Sequence, residues 1–261
     1  MSAALLILAH ATDSGAESVA AAAARRFGPN SVRLVRPEQL SLASWSHRVD
    51  SRGRTSTRLS LPNAEPIDDA AAVLNRIRYL PVPRFHRATA KDRDYAGAEM
   101  QALVASWLAG FGARVVHVVR QHPWVTPVLP RQQWAAAAAT SGLPVARRVI
   151  SSSPRVRPSR SHGLVHEERD EDGVGEVTAN GFGSTVLVAS DRTGGQLASA
   201  FGARCVRAAR TLGFPLLEFR FAAEAATIVL TEVDPLPSLV EPWATALTVD
   251  LLESRAGESR S

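Results

Sequence analysis

Apolar positions in this chain fall into short unbroken runs near its start and into helical spacing further on. The run Ala3-Ala-Leu-Leu-Ile-Leu-Ala9 contains no polar residue, and Thr12, Asp13 and Ser14 behind it suit a helix cap ahead of an alanine-rich stretch to Phe27-Gly28. That order predicts a buried strand, a turn and a helix ended by Gly28-Pro29. Val32 to Val35 predicts a second strand, so the opening is a βαβ unit of the kind that builds parallel sheets. Between Ser44 and Leu61 polar and apolar residues alternate around Asp50-Ser-Arg-Gly53, the pattern of a β-hairpin. Ile67 to Leu80 begins with Asp68 and Asp69, continues through alanines and stops before Pro81 and Pro83, which predicts a short helix. From Asp92 to Gly112 the residues Met100, Leu103, Val104, Trp107, Leu108 and Phe111 share one helical face. Arg114 to Val119 then predicts a strand that closes a first domain near Arg120.

The remaining chain predicts a second domain over 121–261. Pro123 to Pro130 is an extended connector, Pro130 to Ser141 a helix and Leu143 to Ser151 a strand. The stretch 152–175 is charged and rich in Ser, Pro and Gly, with no periodicity, and predicts a long loop. A strand at Ser184 to Ala189, a helix at Gln196 to Leu212, strands at Phe214 to Phe221 and Ala226 to Val233, and a helix at Ser238 to Leu252 complete the pattern. The polar tail from Glu253 is expected to be loose. The fold class is therefore α/β in two lobes.

Composition narrows the classes. The chain has 261 residues with 45% hydrophobic and 21% charged positions, an ordinary globular balance. A single cysteine, Cys205, excludes an internal disulfide, and no Cys/His quartet has structural-zinc spacing. Ala3 to Ala9 falls far short of the ~20 apolar residues of a membrane helix. No positive residue precedes it, so it reads as a strand rather than a signal peptide, and the expected location is cytoplasmic. The net charge of +5 raises nucleic acid as a partner. Lys91 is the only lysine, however, and this arginine usage reads as a compositional bias. The one dense run, Arg147, Arg148, Arg155, Arg157 and Arg160, lies in a Ser/Pro-rich stretch without aromatics and reads as a solvated loop, so a nucleic-acid partner is not expected.

Candidate chemistry is sparse. No GxxxxGK[ST] or GxGxxG sequence joins a strand to a helix, and there is no GxSxG elbow. His162 and His166, with Glu167 and Glu168, have ligand spacing but sit in the aperiodic segment. The informative constellation is Leu216-Leu-Glu-Phe-Arg-Phe221 followed by Ile228-Val-Leu-Thr-Glu-Val-Asp-Pro-Leu-Pro237. Glu232 and Asp234, two apart on a strand, share one face, and paired carboxylates suit a hard cation such as Mg²⁺. Alternatively they are solvated acids on an exposed edge.

These last two strands resemble those of the ATP-grasp carboxylate–amine ligases, the glutathione synthetase-like group, whose pattern is an apolar strand ending in aspartate, a hairpin and a strand with Glu-x-Asn-Pro. Ser184 to Arg192 resembles the strand and turn before that hairpin. Leu74 to Leu80 and Asp92 to Leu103 resemble the N-terminal lobe of ATP-grasp-like proteins. The resemblance implies ATP and Mg²⁺ as cofactors, Glu232 and Asp234 as metal ligands, and Arg147, Arg148 or Arg155 at the nucleotide phosphates in place of the family's lysines. It implies an N-terminal pre-ATP-grasp-like lobe and a truncated ATP-grasp-like C-terminal lobe. Arg220 stands where the family has its aspartate, and the hairpin would set it beside Glu232 and Asp234, able to neutralise one of them. The expected function is accordingly a non-catalytic binding or accessory scaffold with a degenerate nucleotide–Mg site, its partner another protein or a small carboxylate. The alternative is an active ligase working through an acyl phosphate, and a third is an arginine-rich nucleic-acid binder.

Overall fold

In the computed structural model the described residues are 5–62, 64–117, 129–145, 184–224 and 227–258. They form two units, the first from residues 1–128, 214–216 and 235–261 and the second from 129–213 and 217–234.

The first unit is built on a parallel sheet. Strand β1 (Leu5–Ala9) leads into helix α1 (Ser14–Phe27), then β2 (Val32–Val35), the short helix α2 (Pro37–Leu42), the hairpin strands β3 (Ser44–Val49) and β4 (Thr55–Ser60), β5 (Ala72–Arg76), α3 (Ala90–Gly110) and β6 (Val115–Val116). The sheet order is β2-β1-β5-β6, with β1 paired in parallel to both neighbours and β5 in parallel to β6. Every residue of β1 is buried, as its unbroken apolar run requires of a central parallel strand.

The helix expected over Ile67 to Leu80 is not formed: its centre is β5, whose five residues are all buried. A strand covered on both faces needs no alternation, so Ala72-Val-Leu is as suitable for β5 as for a helix turn, and pairing with β1 decides the outcome. That placement also buries Asn75 and Arg76. Asn75 Oδ1 accepts the Ile77 N–H at 3.2 Å. Arg76 Nε donates to Asp13 Oδ2 at 2.8 Å and Nη2 to Oδ1 at 3.3 Å. Asp13 also caps α1 by accepting the Ala16 N–H at 2.9 Å. At the other end of α1, Gly28 at φ 97° turns the chain as the Gly-Pro pair predicts.

The hairpin forms as expected, from Ser44↔Ser60 to Val49↔Thr55, with the Asp50 carboxylate accepting the N–H groups of Arg52 and Arg54 in its turn. Trp45 meets Trp107 of α3 edge-on at 5.3 Å, and His47 lies between Thr57 Oγ1 (2.6 Å) and Ser106 Oγ (2.9 Å). Of the apolar stripe on α3, Val104, Trp107 and Leu108 are buried with Phe111 just beyond the helix, while Met100 is partly buried at the margin of the same core.

The second unit contains helix α4 (Arg131–Thr140), β7 (Ser184–Ala189), β8 (Arg192–Gly194), helix α5 (Ala198–Leu212), β9 (Leu216–Glu224) and β10 (Thr227–Asp234). Its sheet order is β10-β9-β7-β8, with β9 and β10 antiparallel. Helix α5 packs on β7, α4 packs on α5, and Phe201 stacks on Phe221 at 4.9 Å. Gly202 allows α5 to approach β8, since a Cβ there would meet Thr193 Oγ1 at 2.8 Å. Of the strand expected over Leu143 to Ser151, the described residues show an isolated bridge between Val145 and Leu230, and Leu230 N–H donates to Pro144 O at 2.6 Å. Residues 146–183, including the predicted loop at 152–175, lie outside the described residues.

A cut near Arg120 does not separate these units, because the chain returns. Helix α6 (Pro242–Glu258) packs its buried Ala244, Val249, Leu251 and Leu252 toward α1 and β5 and belongs with the first unit. It runs past the tail expected to be loose from Glu253, and Arg26 of α1 pairs with both Asp250 and Glu253 along it. Among the described residues no helix is long and apolar enough to cross a membrane.

Trp107, 2% exposed, sits at the middle of the first core. Trp107→Ala should cost about 3–5 kcal/mol in denaturant unfolding. A second expectation comes from Asp13. Burial alone would raise its carboxyl, but the bond and charge of Arg76, with the Ala16 N–H, hold it below the ordinary carboxylate range. A depressed acid contributes stability that is fully present above its unfolded pKa of about 4 and lost as pH falls through the lower folded value. Asp13→Asn keeps a capping side chain, so the stability gap between it and the parent protein should be constant from pH 7 to about 4 and narrow below that.

Candidate functional site on the last hairpin

The two strands of the last hairpin carry their charges on one face because side chains alternate along each of them. Asp234 pairs with Glu218 and Glu232 with Arg220, so these four residues share that face, while Leu217, Phe219, Phe221 and Val233 fill the core on the other. A register irregularity between Leu230 and Glu232 sets this phase. Pro235 follows at once and ends the strand.

Arg220 is the hub of the group. Its Nη1 donates to Glu232 Oε2 at 2.9 Å, its Nη2 to Asp234 Oδ2 at 2.9 Å and to Glu218 Oε2 at 2.9 Å, and its Nε to Glu218 Oε2 at 3.2 Å. The side chains differ in depth: Glu218 is 9% exposed and Glu232 55%. Burial works against the guanidinium charge, but the bond to Glu218 and the charges of all three acids outweigh it and raise the Arg220 pKa. Thr231 Oγ1 donates to Arg220 O across the ladder at 3.0 Å and adds to the local order.

The expectation that Arg220 faces Glu232 and Asp234 therefore agrees with the geometry. What the sequence reading missed is Glu218, two residues before Arg220 on the same strand. The first carboxylate is not lacking on β9: Glu218 supplies one opposite Asp234. The alternation of Leu216-Leu-Glu-Phe-Arg-Phe carried that signal, since residues 218 and 220 must face the same way. Arg147, Arg148 and Arg155, and His162 with His166, lie outside the described residues.

Three carboxylates form an all-oxygen donor set of the kind hard divalent cations take. Their charge of −3 against one guanidinium leaves −2, matching one such cation. Yet among the described residues no three metal-type side chains gather around a common metal-sized point, because these acids gather around Arg220 instead. The donor chemistry fits a magnesium ion, and its full use requires the guanidinium to give up part of its hold.

No family model matches the chain, and no curated protein matches it. Solved structures do match, over nearly their whole length. The ATP-grasp ligase PsnB, complexed with minimal precursor, Mg and ADP, is 15% identical with a TM-score of 0.63, covering 97% of this chain and 98% of its own. A RiPP-associated ATP-grasp ligase of Chryseobacterium gregarium, in complex with ADP and a leader and core peptide, is 11% identical with a TM-score of 0.69 and 97% coverage of both chains. The macrocyclase MdnC of Microcystis aeruginosa, bound with precursor peptide MdnA, is 10% identical with a TM-score of 0.67, covering 96% of this chain and 99% of its own. The chain has an ATP-grasp-like α/β fold, as the resemblance of its last strands implied.

If Arg220 holds the acids in place of a cation, its removal should expose them. Arg220→Gln should bind Mg²⁺ more tightly than the parent protein in isothermal titration, and Glu218→Gln in the same background should reverse the gain.

Proposed function

We propose that this protein is an ATP-dependent carboxylate–amine ligase that works through an acyl phosphate on a peptide substrate. The observation that carries this reading is a last hairpin bearing three carboxylates, within a chain aligned along almost all its length with ligases whose structures contain ADP together with a precursor or a leader and core peptide. The reaction has two steps. A substrate carboxylate oxygen attacks the γ-phosphorus of ATP and ADP leaves; the amine then attacks the acyl carbon, phosphate leaves and the amine gives up a proton. Both steps move negative charge, so most of the catalysis is positioning and electrostatic stabilisation. A bound magnesium ion would supply positive charge at the nucleotide phosphates.

On this reading Glu218, Glu232 and Asp234 hold the cation, and Arg220 fixes the three acids in one plane and limits their mutual repulsion while the site is unliganded. The half-exposed Glu232 gives way most easily; the buried Glu218 is the fixed end. Arg147, Arg148 and Arg155 are assigned to phosphate contacts in this proposal, since ATP carries more negative charge than Mg²⁺ alone offsets. The working compartment is the cytoplasm, where ATP is supplied.

A second reading keeps the fold and drops the turnover. Arg220 engages all three carboxylates at normal hydrogen-bond distances, an arrangement complete without a metal, and a protein with this site would bind a peptide as an accessory scaffold. The two readings separate in one assay. The ligase should release ADP from Mg-ATP, and Glu232→Gln or Asp234→Asn should lower that rate by at least about 100-fold, the scale for loss of a group that stabilises transition-state charge. No ADP release from the parent protein, with or without carboxylate-bearing peptides, would favour the scaffold.

A further inference from the structure

His117 takes no part in the charged face of the last hairpin, and the fold sets it in an unusual position. It follows β6 directly with φ 71°, a left-handed backbone that residues other than glycine seldom adopt. Its side chain is fully buried. Both ring nitrogens face backbone carbonyl oxygens, Nδ1 at 3.1 Å from Asn75 O and Nε2 at 3.1 Å from Leu216 O. The two partners lie 42 and 99 residues away in sequence, and all three residues belong to the first unit. One ring therefore ties the end of β6 to β5 and to Phe214–Leu216, the short segment by which the chain returns to that unit.

A carbonyl oxygen accepts and never donates. A neutral imidazole has one N–H and one lone pair, so it can bond to one of these oxygens and must turn the lone pair toward the other, with no hydrogen between them. The imidazolium has a donor on each nitrogen and suits both. Burial works against that charge, and the two bonds made by the charged form work for it. Charged residues on the surrounding elements are engaged with opposite charges. Arg76 on β5 pairs with Asp13, and Glu218 on β9 pairs with Arg220, while Glu224 stands at the far end of that strand. Arg114, ahead of β6, pairs with Asp69. Helix α6, which packs on β5, has Asp250 and Glu253 on Arg26 and Arg255 on Glu258.

We propose that His117 is a buried proton site, an imidazolium at pH 7 that acts as a proton-dependent clasp between β5, the end of β6 and the returning segment. Loss of the proton breaks one of its two bonds and loosens the clasp. The inference is independent of the ligase reading, because it uses none of the hairpin's charged groups.

The test reads the ring nitrogens of the isotope-labelled parent protein by NMR. At pH 7 both His117 nitrogens should carry protons, and one proton should leave only as the pH is raised further. A single protonated nitrogen at pH 7 would overturn the clasp. A second arm compares unfolding of the parent with His117→Asn, since asparagine tolerates the left-handed backbone and does not titrate. A histidine that holds its proton above its ordinary value of about 6.5 contributes stability that is fully present below that value and lost as pH rises through the folded one. The denaturant midpoints of parent and variant should accordingly be furthest apart near about pH 6 and converge in alkali. A gap that stays constant, or widens, as the pH rises would also overturn the clasp. The parent spectra decide the matter even if the variant does not fold.

Discussion

Burial of β1 and β5 on both faces is the constraint from which the rest of the first unit follows. Two paired parallel strands that are buried throughout cannot face water, so helices must cover each side of the sheet. The cover for one flank comes from the other end of the sequence: α6, more than two hundred residues after α1, packs against α1 and β5. The chain therefore cannot finish its first unit until the second has been made, and the two units are interleaved in sequence although each has its own sheet. Polar residues that β5 carries into this setting must be matched inside it. Arg76 finds Asp13, and Asp13 in turn caps α1, so one carboxylate joins the strand to the helix that covers it.

The second unit meets the opposite demand. Its outer hairpin has one apolar face and one charged face, and the charged face concentrates three acids within reach of a single guanidinium. Three carboxylates alone would repel one another and raise their proton affinity; Arg220 removes much of that penalty without filling the role of a divalent ion, because it leaves a residual −2. The same four residues thus describe a hairpin whose acids are held by one arginine, and on the proposed function they would be its cation site. The difference between a working ligase and a scaffold rests on whether a metal–nucleotide complex can outcompete one arginine for part of its hold.

Both kinds of site show why unpaired and over-paired polar groups are informative. At the hairpin every prominent donor of Arg220 is engaged, and the open question is what displaces it. At the carboxyl end of β5 the buried Arg76 Nη1 has no acceptor among the described residues.

How much of this was legible in the sequence depends on how local the determining forces are. Period-two alternation around a Gly-containing turn gave β3 and β4, and a stripe at helical spacing gave α3, because those patterns bury a face whatever the partner. The apolar run that includes β1 (Leu5–Ala9) was recognisable as a buried strand because it is short and is followed at once by helix-cap residues. Glu232 and Asp234 were singled out by their spacing and Arg220 by the resemblance, and Glu218 was available by the spacing rule, two residues from Arg220. Ile67 to Leu80 was misread because an alanine-rich, doubly buried strand has no period of its own, and only pairing with β1 makes it β5. The return of α6 to the first unit and the Arg76–Asp13 pair across 63 residues were beyond any local pattern. Each depends on which distant segment arrives beside which, and that is settled by tertiary packing, where the burial of whole faces outweighs the preferences of single segments.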